Sequence, residues 1–145
     1  MPERMTRSTL IKRLLIVLLA SSNLLLPAAM QATPDANSVA TGSWGGEHIV
    51  LEVSWKSVEV EFDCAHGQIT QSMTIDKHGD FEVAGTFTAE HGGPVRRDED
   101  VSPTPARYSG HVDGDNMRLT VTLGKETVGT FTLTHGSRRI LTKCR

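Results

Sequence analysis

The segment K-S-V-E-V-E-F-D-C-A-H-G at residues 56–67 decides the fold of this chain, because apolar and acidic side chains alternate along it. A period of two is typical of an antiparallel strand that packs one face against the core and exposes the other to water. We therefore expect a strand over residues 56–64 with Cys64 facing inward, followed by a turn at residues 65–67. The apolar positions are Val58, Val60, Phe62 and Cys64, and the acidic positions are Glu59, Glu61 and Asp63.

Short segments of the same kind, separated by glycine-containing turns, fill the rest of the chain after residue 41. D-G-D at residues 113–115 is the strongest hairpin signal, and K-H-G at residues 77–79 is a second. Eight strands without a helical period predict an all-β fold, a small antiparallel meander that forms a closed or flattened barrel. Large apolar side chains dominate the inward positions, so they should fill the barrel interior. The predicted strands span residues 47–54, 56–64, 68–76, 80–89, 106–113, 117–123, 128–134 and 138–144.

Residues 1–32 have the organisation of a signal peptide that is removed on export. A basic stretch is followed by an apolar run at residues 14–26 and then by small residues that offer cleavage sites. This run is shorter than the roughly 20 residues of a membrane-spanning helix, and polar residues interrupt it. We expect a mature protein in the periplasm or outside the cell, with no membrane span. A flexible lead-in at residues 33–41 should precede one barrel domain at residues 42–145.

Charge and cysteine content narrow the function classes. The leader carries four of the 15 Lys and Arg residues and one of the 17 Asp and Glu residues, so residues 33–145 have a net charge of −5 with neutral histidines. An acidic domain without a basic stripe repels phosphate backbones, which argues against nucleic acid as a partner. Cys64 and Cys144 are the only cysteines, and they lack the C-x-x-C spacing of metal–thiolate sites. In an oxidising compartment the two should form a disulfide.

Histidine is the residue type with the clearest potential for chemistry, although its placement also has a structural explanation. Four of the six histidines precede a glycine, and both residues suit turns. Because strand direction reverses at each turn of a meander, alternate turns should meet at one end of the barrel. We expect His78 and His135 at the opposite end. The first end should collect the binding residues Trp44, Glu47, His66, His91, Arg96 and Arg97, together with His48, Cys64 and Cys144.

Two resemblances to known proteins add to this interpretation. G-S-W at residues 42–44 resembles the G-x-W that opens lipocalin-type barrels, in which a basic residue after the last strand packs over the tryptophan, a position that Arg145 would occupy. This resemblance implies an eight-stranded meander. A second one, to a group of small exported bacterial proteins without an assigned function, implies that four segments form one site. These are W-G-G-E-H-I at residues 44–49, D-C-A-H-G at 63–67, E-H-G-G-P at 90–94 and K-C at 143–144.

Two function classes follow from these observations. The first is a monomeric binding or interaction module of the cell envelope that holds a small ligand or an envelope protein, without catalytic residues. It would use the end that contains the long segment 90–105, which interrupts the strand pattern and is either functional or merely solvated. The alternative is a zinc or copper site made by His48, His66 and His91 with Glu47, because neutral imidazoles suit these metals. Such a protein would be a metal binder or a metal-dependent hydrolase.

The leader provides a direct test of export. Cleavage should occur near residues 28–32, because the small residues there follow the apolar run. N-terminal sequencing of the protein recovered from the periplasm or the medium should therefore begin just after this stretch. A sequence that still begins within residues 4–13 would contradict the prediction.

Overall fold

The computed structural model describes residues 37–94, 96, 98 and 101–144. The predicted signal peptide, residues 33–36 of the predicted lead-in, Arg97 and Arg145 lie outside the described residues. Eight antiparallel strands form a closed barrel in chain order, and β1 pairs with β8 to close it, so the predicted meander is confirmed. The strands are β1 Gly42–Gly46, β2 Ile49–Val53, β3 Val58–Phe62, β4 Ala65–Ile69, β5 Asp80–Ala89, β6 Thr104–Asp113, β7 Asn116–Leu123 and β8 Glu126–His135.

The start of the barrel differs from the prediction of a first strand at residues 47–54. Glu47 and His48 form a turn between β1 and β2, with His48 in the left-handed region at φ 65°. The strand β1 does not show in the pattern because three of its five residues are glycine, a residue type depleted in strands. Gly46 is needed for close approach, since a side chain there would clash with the carbonyl oxygen of Thr132 in β8.

The predicted eighth strand at residues 138–144 is wrong, because β1 already occupies the place beside β8. These residues instead form an irregular tail. The chain crosses the outer face of β1 at Gly45, where an added Cβ would clash with the carbonyl oxygen of Ser137. Arg138 holds the tail there, since its guanidinium lies 3.4 Å from the carboxylate of Glu52.

The turn predicted at residues 65–67 is also wrong. The chain reverses at Asp63 and Cys64, and residues 65–67 begin β4, so Cys64 is exposed rather than inward. Gly67 provides space and not a turn, because its Cβ would clash with the hydroxyl group of the buried Tyr108. That hydroxyl donates to a carbonyl oxygen of β5 at 2.7 Å, and burial raises the pKa of Tyr108 to about 12.

The strand predicted at residues 68–76 ends early, because β4 stops at Ile69. Beyond it, residues 37–39 pair with residues 73–75 through backbone hydrogen bonds of 2.7 and 2.9 Å. Val39 and Met73 are buried at this contact. The described part of the predicted lead-in is therefore fixed to the barrel and adds to its core.

Apolar side chains fill the barrel interior, as the alternating strands predicted. Trp44, predicted as a binding residue, lies fully buried in this core. Its indole Nε1 donates to the carbonyl oxygen of Ala40 at 2.9 Å, and its ring centroid lies 4.8 Å from that of His135. No helix occurs among the described residues, and thus none there is long and apolar enough to cross a membrane. The other large, fully buried side chains include Tyr108, Ile49, Leu51, Ile69, Met117, Leu119 and Leu133.

Ile49 and Ile140 give a matched test of the core, because the same residue type is fully buried at the first position and fully exposed at the second. Ile49→Ala should lower the free energy of unfolding by about 2–5 kcal/mol, since it leaves a cavity among packed neighbours. Ile140→Ala should change it by less than about 0.5 kcal/mol. Chemical denaturation followed by circular dichroism measures both values. Equal losses would contradict the assignment of Ile49 to the core.

Candidate functional site

One end of the barrel, here called the loop end, brings together distant segments of the chain. Successive strands run in opposite directions, so alternate turns meet there. His78 and His135, at the β4–β5 turn and the end of β8, lie at the opposite end. The loop end comprises the β1–β2 turn at residues 47–48, the β3–β4 turn at 63–64, His66, the described residues of the β5–β6 connection (90–94, 96, 98 and 101–103), the β7–β8 turn at 124–125 and the tail at 142–144.

A disulfide joins Cys64 in the β3–β4 turn to Cys144 in the tail, as the cysteine content predicted. The amide of Cys144 donates to the carbonyl oxygen of Asp63 at 3.3 Å, and the amide of Glu90 donates to that of Cys64 at 2.8 Å. The two cysteines are 80 residues apart, and closing a loop of that length stabilises the fold by about 4 kcal/mol on the chain-entropy model. The disulfide therefore anchors the tail at the loop end.

His48 and Asp63 form an ion pair between two turns of the loop end. His48 Nδ1 lies 2.5 Å from Asp63 Oδ2, and His48 Nε2 lies 3.5 Å from Glu47 Oε1. The backbone amide of Thr142 donates to Asp63 Oδ1 at 2.9 Å. The hydrogen bond to Asp63, together with the charge of that carboxylate, raises the pKa of His48. The same hydrogen bond lowers the pKa of Asp63. The pair thus favours a protonated imidazole at the surface.

Lys143 connects two carboxylates and, through one of them, a second histidine. Its Nζ lies 2.6 Å from Glu61 Oε2 and 3.5 Å from Glu90 Oε2. Glu90 Oε1 in turn lies 2.6 Å from His66 Nδ1. The hydrogen bond to His66, assisted by the charge of Lys143, lowers the pKa of Glu90. Partial burial disfavours the charge on Lys143, but hydrogen bonding to Glu61 and attraction to both carboxylates outweigh this effect and raise the pKa of Lys143.

The β5–β6 connection forms an open concavity at the same end. Its volume is about 620 Å³, and His91 Nδ1 lies 2.9 Å from the carbonyl oxygen of Gly92. Two of the predicted binding residues, His91 and Arg96, thus line one surface, whereas Arg97 lies outside the described residues. The lining residues are His91, Gly92, Pro94, Arg96 and Asp98.

The three histidines predicted as zinc or copper ligands have separate contacts. His48 and His66 each place Nδ1 against a carboxylate, while His91 places Nδ1 against a backbone carbonyl. Within the described part of the chain, no group of three His, Cys, Asp or Glu side chains lies close enough together to hold a metal ion. The predicted ligand set is therefore distributed over the loop end rather than gathered at one point.

Several side chains that organise the loop end were absent from the predicted binding and metal residues, although Asp63, Glu90 and Lys143 lie in the segments that the second resemblance joined into one site. The alternating pattern placed Glu61 and Asp63 on a solvent-facing side, and it gave no role to Glu90 or Lys143. A signal was nevertheless present, because three of these residues directly precede a residue that the sequence singled out. Asp63 precedes Cys64, and Glu90 and Lys143 likewise precede a histidine and a cysteine.

Comparison with known proteins identified no matching family model, no similar curated protein and no similar solved structure. The resemblances to lipocalin-type barrels and to small exported bacterial proteins therefore stay predictions. Function has to be inferred from the chemistry of the loop end itself.

Asp63→Asn should lower the pKa of His48 towards its ordinary value of 6.5, because the neutral amide removes the charge that favours the protonated imidazole. Nuclear magnetic resonance titration of the His48 ring measures this change. Asp76→Asn is the matched control, since Asp76 accepts backbone hydrogen bonds in the turn at the opposite end. An unchanged His48 midpoint in Asp63→Asn would contradict the ion pair.

The His48–Asp63 pair makes the free energy of unfolding depend on pH. The raised pKa of His48 contributes stability that is fully present below 6.5 and is lost as pH rises through the folded-state value. The lowered pKa of Asp63 contributes stability that is present above 3.8 and is lost as pH falls through its folded-state value. The stability difference between the wild type and Asp63→Asn should therefore be largest between these two values.

Proposed function

We propose that this chain is a non-catalytic binding module of the cell envelope that holds a small ligand or an envelope protein at the loop end. A signal peptide directs it to the periplasm or the medium, where it works as a monomer. The observation that carries this proposal is the contrast between a filled barrel interior and a polar, cross-linked loop end.

The barrel interior leaves the surface as the place for a ligand. Eight-stranded barrels either fill their interior with side chains or enclose one small ligand. Here Trp44, Tyr108 and Leu119 are fully buried among other apolar side chains of one continuous core. A ligand could bind in the lumen only if these side chains moved out of it, so we place the binding site outside the barrel interior.

The loop end offers charged groups that are held in place before a partner arrives. The disulfide and the His48–Asp63 pair fix the turns, and Lys143 ties the tail to the strands. Side chains remain accessible, since Glu47 is 86% exposed and His66 is 48% exposed. Binding to such preorganised groups loses less conformational entropy than binding to mobile ones.

The contacts of the imidazoles bear on the metal-binding and hydrolytic alternatives. A hydrolytic histidine activates a hydroxyl or thiol nucleophile, activates water directly as a general base, or belongs to a metal site with three protein ligands. The two nitrogens of His48 face the carboxylates of Asp63 and Glu47, and His66 faces Glu90. These contacts supply no nucleophile, and the described residues contain no three-ligand group. The metal-binding alternative and hydrolysis through a hydroxyl or thiol nucleophile therefore gain no support from them.

A photo-crosslinking amino acid at position 47 should capture the partner in the cells that naturally make the protein. The matched control is position 82, another exposed glutamate that lies on the barrel wall in β5 and pairs with Arg107. We expect an adduct of one defined mass from position 47 and none from position 82. Mass spectrometry of the purified protein identifies the adduct.

Two results would overturn the proposal. Equal labelling at both positions would indicate non-specific proximity, and no adduct from position 47 or from a second loop-end position, Arg96, would remove the binding surface. A serine substitution at both cysteines should abolish the position 47 adduct if the cross-linked arrangement is needed, and circular dichroism would show that this variant still folds.

A further inference from the structure

Trp55 is an exposed aromatic side chain at the end of the barrel opposite the loop end. It lies in the β2–β3 turn and is 70% exposed, whereas Trp44 is fully buried. Tryptophan is enriched among the residues that dominate binding energies, because its ring buries a large area with few rotatable bonds. The core of the protein does not use this ring, so it is available to a ligand.

The turn that carries Trp55 is held rigidly. The amide of Ser54 donates to the carbonyl oxygen of Ser57 at 2.9 Å, and the amide of Ser57 donates back to Ser54 Oγ at 3.1 Å. The hydroxyl of Ser72, beyond β4, donates to the carbonyl oxygen of Trp55 at 2.6 Å. A ligand that stacks on the indole would therefore meet a fixed backbone and would not have to order the turn.

The two segments next to the ring, residues 54–57 and 70–72, are polar and contain no acidic residue. Val58 pairs with Ile69, so residues 54–57 and 70–72 continue side by side from β3 and β4. Lys56 is the only charged residue in these two segments, and its Nζ lies 4.0 Å from the centroid of the Trp55 ring. The remaining side chains are hydroxyls and one amide, from Ser54, Ser57, Thr70, Gln71 and Ser72.

A single ring among hydroxyl groups does not suit a membrane or an apolar protein groove. Binding of a protein to a lipid surface grows with the apolar area that it buries. The other large apolar side chains that are exposed in the described part of the chain are Val101, Val128 and Ile140, and none belongs to these two segments. The acidic charge of the domain also disfavours anionic lipids.

We propose that Trp55, with residues 54–57 and 70–72, forms a saccharide subsite that stacks one pyranose ring of a glycan on the indole. A pyranose has an apolar C–H face that matches an aromatic ring and hydroxyl groups that match hydroxyl and amide side chains around it. Lys56 covers one face of the indole, so the sugar takes the other face.

Oligosaccharide titration followed by nuclear magnetic resonance tests this subsite. Chitotetraose, cellotetraose and maltotetraose are the probes, and the two indole N–H signals report separately on Trp55 and Trp44. We expect at least one probe to shift the Trp55 signal with a Kd on the order of 1 mM, while the Trp44 signal stays in place. No shift of the Trp55 signal with any probe at about 20 mM would overturn the proposal.

Variants separate stacking from other causes. Trp55→Ala should weaken binding at least about tenfold, measured by the amide signals of residues 70–72, whereas Trp55→Tyr should retain most of it because a ring remains. Val128→Ala removes another exposed apolar side chain and should leave binding unchanged. Full binding by Trp55→Ala would overturn the subsite. The subsite would also be overturned if the protein bound none of the saccharides but sedimented with phosphatidylcholine and phosphatidylglycerol vesicles, and Trp55→Ala removed that sedimentation.

The saccharide subsite stands independently of the loop end. Glu47→Gln changes the loop end alone and should leave the oligosaccharide affinity unchanged. A loss of saccharide binding in Glu47→Gln, with circular dichroism unchanged, would place the sugar at the loop end and overturn the assignment to Trp55.

Discussion

Pairing of β1 with β8 is the interaction on which the rest of the structure depends, because it converts a row of strands into a closed barrel. An open sheet would expose two edges of unpaired backbone groups. It would also uncover Trp44, the largest fully buried side chain of the core. The two strands approach closely enough because Gly46 presents no side chain to the carbonyl oxygen of Thr132. A short, glycine-rich strand thus allows a small domain to enclose its core.

The loop end is a consequence of this closure. With β1 beside β8, residues 138–144 cannot extend the sheet and instead cross the outer face of β1 at Gly45. The tail then reaches the β3–β4 turn, where the disulfide to Cys64 fixes it. Lys143 is carried to Glu61 and Glu90 by the same path. The ion pairs of Lys143 therefore depend on a strand pairing that contains none of their residues.

The two ends of the barrel present different chemistry, and the filled core keeps them apart. At the loop end the exposed groups are paired charges and histidines, so binding there should respond to pH and to salt. At the opposite end the β2–β3 turn presents the Trp55 ring beside hydroxyl side chains, and the His135–Asp115 pair lies elsewhere at that end. Under the two proposals above, the barrel would present one surface to a partner at the loop end and another to a saccharide at Trp55.

Alternation of apolar and polar residues by itself determined the all-β class and the strand β5, because long unbroken alternation indicates a half-buried strand. The alternation did not predict the strand segments that contain glycine, residues 42–46 and 65–67. Local sequence does not reveal whether a glycine allows a turn or makes space for a neighbouring group. Only the tertiary structure decided the ion pairs of the loop end. His48 and Asp63 are 15 residues apart and His66 and Glu90 are 24 residues apart. The β2–β3 register brings the first pair together and the β4–β5 register the second, whereas the path of the tail brings Lys143 to Glu90.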